Sequence, residues 1–445
     1  MTRPDGRTEM TRPLAAWNPL DWSLLHGPVP YALLAAGSGA LLGLAVSTSP
    51  RWWSRLLPGA VLLAAALTVL LVYAVDHWWR PFPDRLPRTV TVWIGVAVLG
   101  LTLAAFRLPA LRWPGRAAAL VAAALVVAMA ANQVNRHYAQ YPTLRAMLAP
   151  RTEALATGRE PVTVTAPPGR TLSEVWRPPA GMPARGTLSS VTIPGTRSGF
   201  KARDAYVYLP PAYLTSPRPL LPVVLLMGGQ PGGPADWVNS GGLQQVLDDF
   251  AAAHQGLAPV VVVADPIGST LGNTLCMDSR IANAQTYLAV DVPDWIHTHL
   301  QTATGRGALS AGGISFGGTC ALQLAVNAPQ VFGTFLDMSG QQEPTLGSHE
   351  LTVRTAFGGD EAAFDAVDPV HVMARRSFPD TAALFLVGAS DGEFGPQQQV
   401  IHAAAVRSGM RTTFETVPGG HNWSAFHLGL ARYIPWVAQQ TGLTR

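Results

Sequence analysis

The stretch Gly307-Ala308-Leu309-Ser310-Ala311-Gly312-Gly313-Ile314-Ser315-Phe316-Gly317-Gly318 reads as a strand ending near Gly312, a sharp turn, and the start of a helix that continues to Val326. A serine on such a strand-to-helix turn has a strained backbone, and its neighbours must be small or they would clash with the adjoining strand and helix. Gly312, Gly313, Gly317 and Gly318 provide that room. Gly-x-Ser-x-Gly alone is a weak signal in a glycine-rich chain; the strand before it and the helix after it give it meaning. Ser315 is therefore the candidate nucleophile, at the carboxyl end of a central strand.

Working outward, short apolar runs alternate with longer amphipathic stretches, which is the pattern of strands joined by crossover helices. Strands are expected near residues 188–193, 205–209, 222–227, 259–264, 307–312, 334–337, 382–387 and 412–416. Val223-Val224-Leu225-Leu226 and Val260-Val261-Val262-Val263 are apolar without alternation, as in central strands covered on both faces. The expected fold class is α/β, a mainly parallel, doubly wound sheet of the α/β-hydrolase type.

A serine hydroxyl is a poor nucleophile until a base takes its proton. His421 is the candidate base, because Gly419-Gly420-His421-Asn422-Trp423 follows the last expected strand and opens the final helix. His297, His299, His371 and His402 have no such placement and read as surface or packing residues. The acid should follow the penultimate strand, where Ala389-Ser390-Asp391-Gly392-Glu393 offers two carboxylates. Asp391 lies nearer the strand end and is preferred; Glu393 is the alternative. Donors for an oxyanion would be the amide of Phe316 and one in Met227-Gly228-Gly229-Gln230-Pro231-Gly232-Gly233, with Gly229 chosen ahead of Gln230.

The first third of the chain has a different character. Hydrophobic residues make up 48% of the sequence and charged residues 13%, and the apolar excess gathers in four uncharged runs, 31–49, 56–75, 89–106 and 117–134. Each is long enough to cross about 30 Å of hydrocarbon as a helix. Of the 13 tryptophans, Trp17, Trp22, Trp52, Trp53, Trp78, Trp79, Trp93 and Trp113 lie mostly at the flanks of these runs, where an interfacial belt would sit. The net charge of +4 divides into 18 basic against 8 acidic residues up to Arg185 and 13 against 19 after it. The basic half is the apolar half, so its arginines answer to membrane topology and lipid headgroups, and no nucleic-acid motif is present. Three units are expected: a membrane region 1–135, a proline-rich, mostly extended stalk 136–184, and a catalytic domain 185–445.

Val207-Tyr208-Leu209-Pro210-Pro211, Met227-Gly228-Gly229, the segment from Gln285-Thr286-Tyr287 to Trp295, Gly313-Ile314-Ser315-Phe316-Gly317 and Gly419-Gly420-His421-Asn422-Trp423 together resemble the esterase-D family of α/β-hydrolases. Its mycolyltransferases and feruloyl esterases are the relevant comparison, and the likeness runs from about 185 to 436. It implies an acyl-serine mechanism without metal or organic cofactor. It also implies an ester substrate, with an envelope lipid or glycan as one class. In the mycolyltransferases the acid is a glutamate, which corresponds to Glu393, while the feruloyl-esterase pattern favours Asp391. The four apolar runs depart from the secreted mycolyltransferases, as does the lack of a closely spaced cysteine pair before Gln285. An extracytoplasmic membrane-anchored serine esterase is the expectation. An acyltransferase to a sugar or lipid hydroxyl and a non-catalytic envelope binding protein are the alternatives.

Arg51, Arg55, Arg107, Arg112 and Arg116 follow the first and third runs without any acid, whereas Arg80, Arg85 and Arg88 after the second run stand beside Asp76 and Asp84. Arg3, Arg7 and Arg12 add to the same side as the latter group, so charge counting is ambiguous. The resemblance to exported enzymes puts both termini and the catalytic domain outside the cytoplasmic membrane. Cys276 and Cys320 are the only cysteines; in an exported domain they suggest a disulfide, with two buried thiols as the alternative.

Overall fold

The computed structural model describes residues 18–81 and 83–445. Trp17, Arg3, Arg7 and Arg12, used above for belt and topology, lie outside the described residues.

Four helices are long and apolar enough to cross a membrane: Pro28–Ala45, Trp52–Trp79, Arg88–Ala110 and Trp113–Tyr138. Their cores are α1 (Pro28–Ala45), α2 (Leu57–Tyr73), α3 (Arg88–Arg107) and α4 (Trp113–Tyr138). The first ends at Ala45 rather than near residue 49, because Val46 is already extended and Pro50 lies ahead. Leu62, Val69, Trp78, Trp79 and Trp113 project outward. A helix bundle that leaves such side chains exposed has an apolar outer surface instead of an inward-facing stripe.

The rest of the chain is built around an eight-stranded sheet, with a separate two-stranded pairing beside it. Its strands are β1 (Thr187–Val191), β2 (Ala205–Leu209), β3 (Val223–Met227), β4 (Val260–Ala264), β5 (Leu309–Ile314), β6 (Thr334–Met338), β7 (Ala382–Gly388) and β8 (Arg411–Val417). The spatial order is β8-β7-β6-β5-β3-β4-β2-β1. β1 and β2 pair antiparallel, β2 joins β4 antiparallel, and every other pairing is parallel. All eight expected strands are present. β3, β4, β5 and β6 are buried along their whole length, which is why their sequences show no alternation. Ser315, Asp391 and the approach to His421 all follow carboxyl ends of parallel strands, so they come to the same edge of the sheet.

The segment expected as a stalk is instead a strap bound to the catalytic domain. Thr163–Val164 pairs in parallel with Arg218–Pro219. Leu172 and Trp176 are buried, and the Trp176 indole donates to the Gln255 carbonyl at 3.0 Å. At its start, Gln140 donates to Asp236 at 2.8 Å and accepts from the Trp423 indole at 2.7 Å. Proline-rich chain has few internal hydrogen bonds of its own; here buried apolar side chains, one strand pairing and the bonds of Gln140 supply the attachment.

Candidate active site

β5 delivers Ser315 into the turn before α5 (Phe316–Asn327), with φ 53° and ψ −122°. Positive φ is costly for a residue with a Cβ and persists only where the surroundings enforce it. The Ser315 amide donates to the Met338 carbonyl at 2.8 Å, which ties the turn to the end of β6. At Gly317 a Cβ would come within 2.3 Å of the Met227 carbonyl oxygen, so only glycine lets α5 start this close to β3. The 228–233 turn lies on the other side of the serine: a Cβ at Gly229 would stand 3.4 Å from that of Ser315. Arg203 braces this turn, bonding the Gly232 carbonyl at 2.9 Å and gripping buried Asp265 with two nitrogens.

The loops after β7 and β8 are pressed together. A Cβ on Gly388 would meet the Gly420 carbonyl oxygen at 2.6 Å, and the Ser390 amide donates to the Gly419 carbonyl at 2.8 Å. This close approach brings Asp391 Oδ2 to 2.9 Å from His421 Nδ1, while Asp391 Oδ1 accepts from the Phe394 amide at 3.1 Å. Burial raises the Asp391 carboxyl, but the bond and charge of His421 and the Phe394 amide outweigh it and hold the carboxyl below its ordinary value. Phe394 stacks on the imidazole, with ring centroids 4.2 Å apart, and Phe426 meets it edge-on at 5.2 Å. Asn422 caps the helix α6 (Trp423–Gln440) through the Ala425 amide and fixes the residue next to His421.

Of the two candidate acids, the structure brings Asp391 to the histidine. Glu393 is exposed at the start of the following helix, and no hydrogen bond from it to His421 is present among the described residues. His299 and His402 are engaged elsewhere, with the Trp295 carbonyl and the Thr412 hydroxyl. Cys276 and Cys320 are bonded, their Cα atoms 5.2 Å apart, and Cys320 stands on α5 behind the serine turn. One neighbour of the site reads in sequence only as a loop charge beside a membrane run: Asp84, on the loop between the second and third apolar helices, lies in the field of Glu393, His421 and Asp391. No local pattern marks it, because its partners lie some three hundred positions away in the chain.

The sequence model of the Esterase family matches residues 201–437, more than half of the chain and all of the elements that carry Ser315, Asp391 and His421. The chain belongs to this esterase family. As an esterase-D-like α/β-hydrolase it is an enzyme that acts on esters. The esterase is similar to an uncharacterised protein of Corynebacterium glutamicum, 37% identical over 416 residues that cover 91% of this chain and 93% of the relative. Among solved structures it is similar to a ferulic acid esterase at 17% identity and a TM-score of 0.51, covering 57% of this chain and 98% of that one. It is also similar to an S-formylglutathione hydrolase from Agrobacterium tumefaciens at 18% identity and a TM-score of 0.49, over 58% and 97% of the two chains. At 17% identity the likeness to the ferulic acid esterase shows the fold alone.

The esterase keeps a further carboxylate, Asp337, beneath the serine turn. It is fully buried and accepts from Gln398 and from the Gly340 amide, both at 2.9 Å. Burial pushes its carboxyl up to about 7, against those two donors. The folded state therefore holds a proton there that the unfolded state has lost above about pH 4. Stability from this group is complete at low pH and falls as pH rises to about 7, by roughly 1.4 kcal/mol per pH unit at most. Asp337→Asn, which cannot ionise, should melt near the wild-type temperature at pH 4 and several degrees above it at pH 8. Equal melting temperatures at both pH values would remove this account.

Proposed function

We propose that the chain is a membrane-anchored serine esterase whose catalytic domain lies outside the cytoplasmic membrane, and which cleaves carboxylic esters through an acyl-serine. Ser315 Oγ attacks the ester carbonyl while His421 takes its proton. His421 then gives that proton to the departing alcohol, and water reverses the sequence to release the acid. Asp391 orients the imidazole and stabilises its cation. The amide of Phe316, in the first helical turn and so without an intrahelical acceptor, and that of Gly229 or Gln230 would hold the oxyanion. The observation that carries this reading is the 2.9 Å contact of His421 with buried Asp391 at the sheet edge that presents Ser315 with φ 53°.

One feature supports the placement: the bonded cysteine pair suits an oxidising compartment. With four spans, residues after α4 share a side with the loop after α2, so the catalytic domain and loop 80–87 would stand on one face together. A membrane-impermeant fluorophosphonate added to intact spheroplasts should label Ser315 in the wild type and nothing in Ser315→Ala. Labelling that requires lysis would reverse the orientation, and no labelling under either condition would remove the serine mechanism.

A further inference from the structure

The loop 80–87 joins the second apolar helix to α3, yet it belongs spatially to the catalytic site. Arg80 turns the chain with φ 44°, and the Leu86 amide bonds back to Asp76 at 3.2 Å to close the loop. Gln230, in the glycine-rich turn beside Ser315, donates to the Pro81 carbonyl at 3.5 Å. A Cβ on Gly347 would touch the Pro83 backbone at 3.6 Å. Three prolines in eight residues, Pro81, Pro83 and Pro87, restrict the backbone before folding.

Next to these two contacts, the loop carries Asp84 into the field of His421. Its carboxyl faces Gln341, Glu393 and the histidine, and it has no ion pair among the described residues. Burial, and then the charge of Glu393, lift it to about 6, so above that pH it is an ionised acceptor. Gln341 is itself fixed to the serine helix, its amide bonding Thr319 Oγ1 at 2.8 Å. A half-buried carboxylate without a counter-ion is expensive to hold in place, and this one is near enough to His421 for their charges to interact. Asp391 is occupied with the imidazole, which leaves Asp84 free to accept from a substrate.

We propose that Asp84 is an alcohol-binding residue, accepting a hydrogen bond from a second hydroxyl of the alcohol half while His421 serves the reacting one. The helical region thereby contributes a wall of the active site, and the alcohol selected is one with neighbouring hydroxyls. This rests on the reading of Ser315 and His421 as nucleophile and base. In the transfer direction the alcohol oxygen attacks the acyl carbon and its proton passes to His421. The Ser315 Oγ–acyl bond breaks, and Oγ recovers that proton.

The test uses the full chain in phosphatidylcholine vesicles, with p-nitrophenyl butyrate as acyl donor and glycerol or 1-propanol as competing acceptor. Nitrophenol release reports formation of the acyl-enzyme, and the ratio of glyceryl butyrate to butyrate reports recognition of the alcohol. Asp84→Ala should lower that ratio about tenfold, the effect of one charge-assisted hydrogen bond. Nitrophenol release and capture by propanol should stay within about twofold, and Asp84→Asn should fall between. Equal losses with glycerol and propanol, an unchanged ratio, or no glyceryl butyrate from the wild type would each overturn the role of Asp84. Absence of nitrophenol release together with an unlabelled Ser315 would instead remove the esterase mechanism on which it rests.

Discussion

Ser315→Ala should lower turnover of a p-nitrophenyl ester by about four to six orders of magnitude, and His421→Ala by a similar factor. The first removes the attacking atom, the second the group that receives its proton; without either, the remaining one has nothing to act with. Combining them should cost little more than one alone, because residues that act as a unit are not additive. Residual activity would come from the oxyanion donors and binding. Burst kinetics in the wild type, with the burst absent from both variants, is the measurement. If His421→Ala kept a burst of wild-type rate, another base would have to be sought.

The second large effect separates the two acids. Asp391→Asn keeps the shape of the loop and its bond from the Phe394 amide, but it can no longer fix the imidazole tautomer or stabilise its cation, so turnover should fall by about three to four orders of magnitude. Glu393→Gln should stay within about twofold, since its side chain is exposed and the imidazole is already held. On acidification, the Asp391 contribution should be lost only well below the ordinary carboxylate range, because its carboxyl is held down in the folded state. The reverse ranking of the two variants would transfer the role to Glu393.

How much of this was readable depended on how local each signal is. The central strands could be placed because a buried parallel strand is a short, continuous apolar run and the crossovers space such runs apart. The serine turn was readable for the same reason: strand, glycines and helix lie within a dozen residues. The choice between Asp391 and Glu393 was not decided by sequence, since two residues on one loop differ only in direction, and direction depends on the neighbouring loop pressed against Gly388. The strap reads as a stalk in sequence because prolines indicate extension and are silent about what the extended chain touches. Asp84 was invisible in principle: its surroundings in sequence are helix ends, and its partners arrive only after the whole domain has folded.

The strap also sets the distances over which this enzyme can search. A segment as long as 136–184, if it were unstructured, would let the domain at its end wander over roughly 40 Å. Such an enzyme would sample ester bonds throughout a shell of solvent. Trp176 buried in the domain, Thr163–Val164 paired in it and Gln140 wedged between Asp236 and Trp423 remove that freedom. The domain is mounted, not leashed; with the helices in a bilayer, as proposed, Ser315 would keep a fixed height above it, and its encounters with anything anchored in the same plane would become a two-dimensional problem of lateral diffusion.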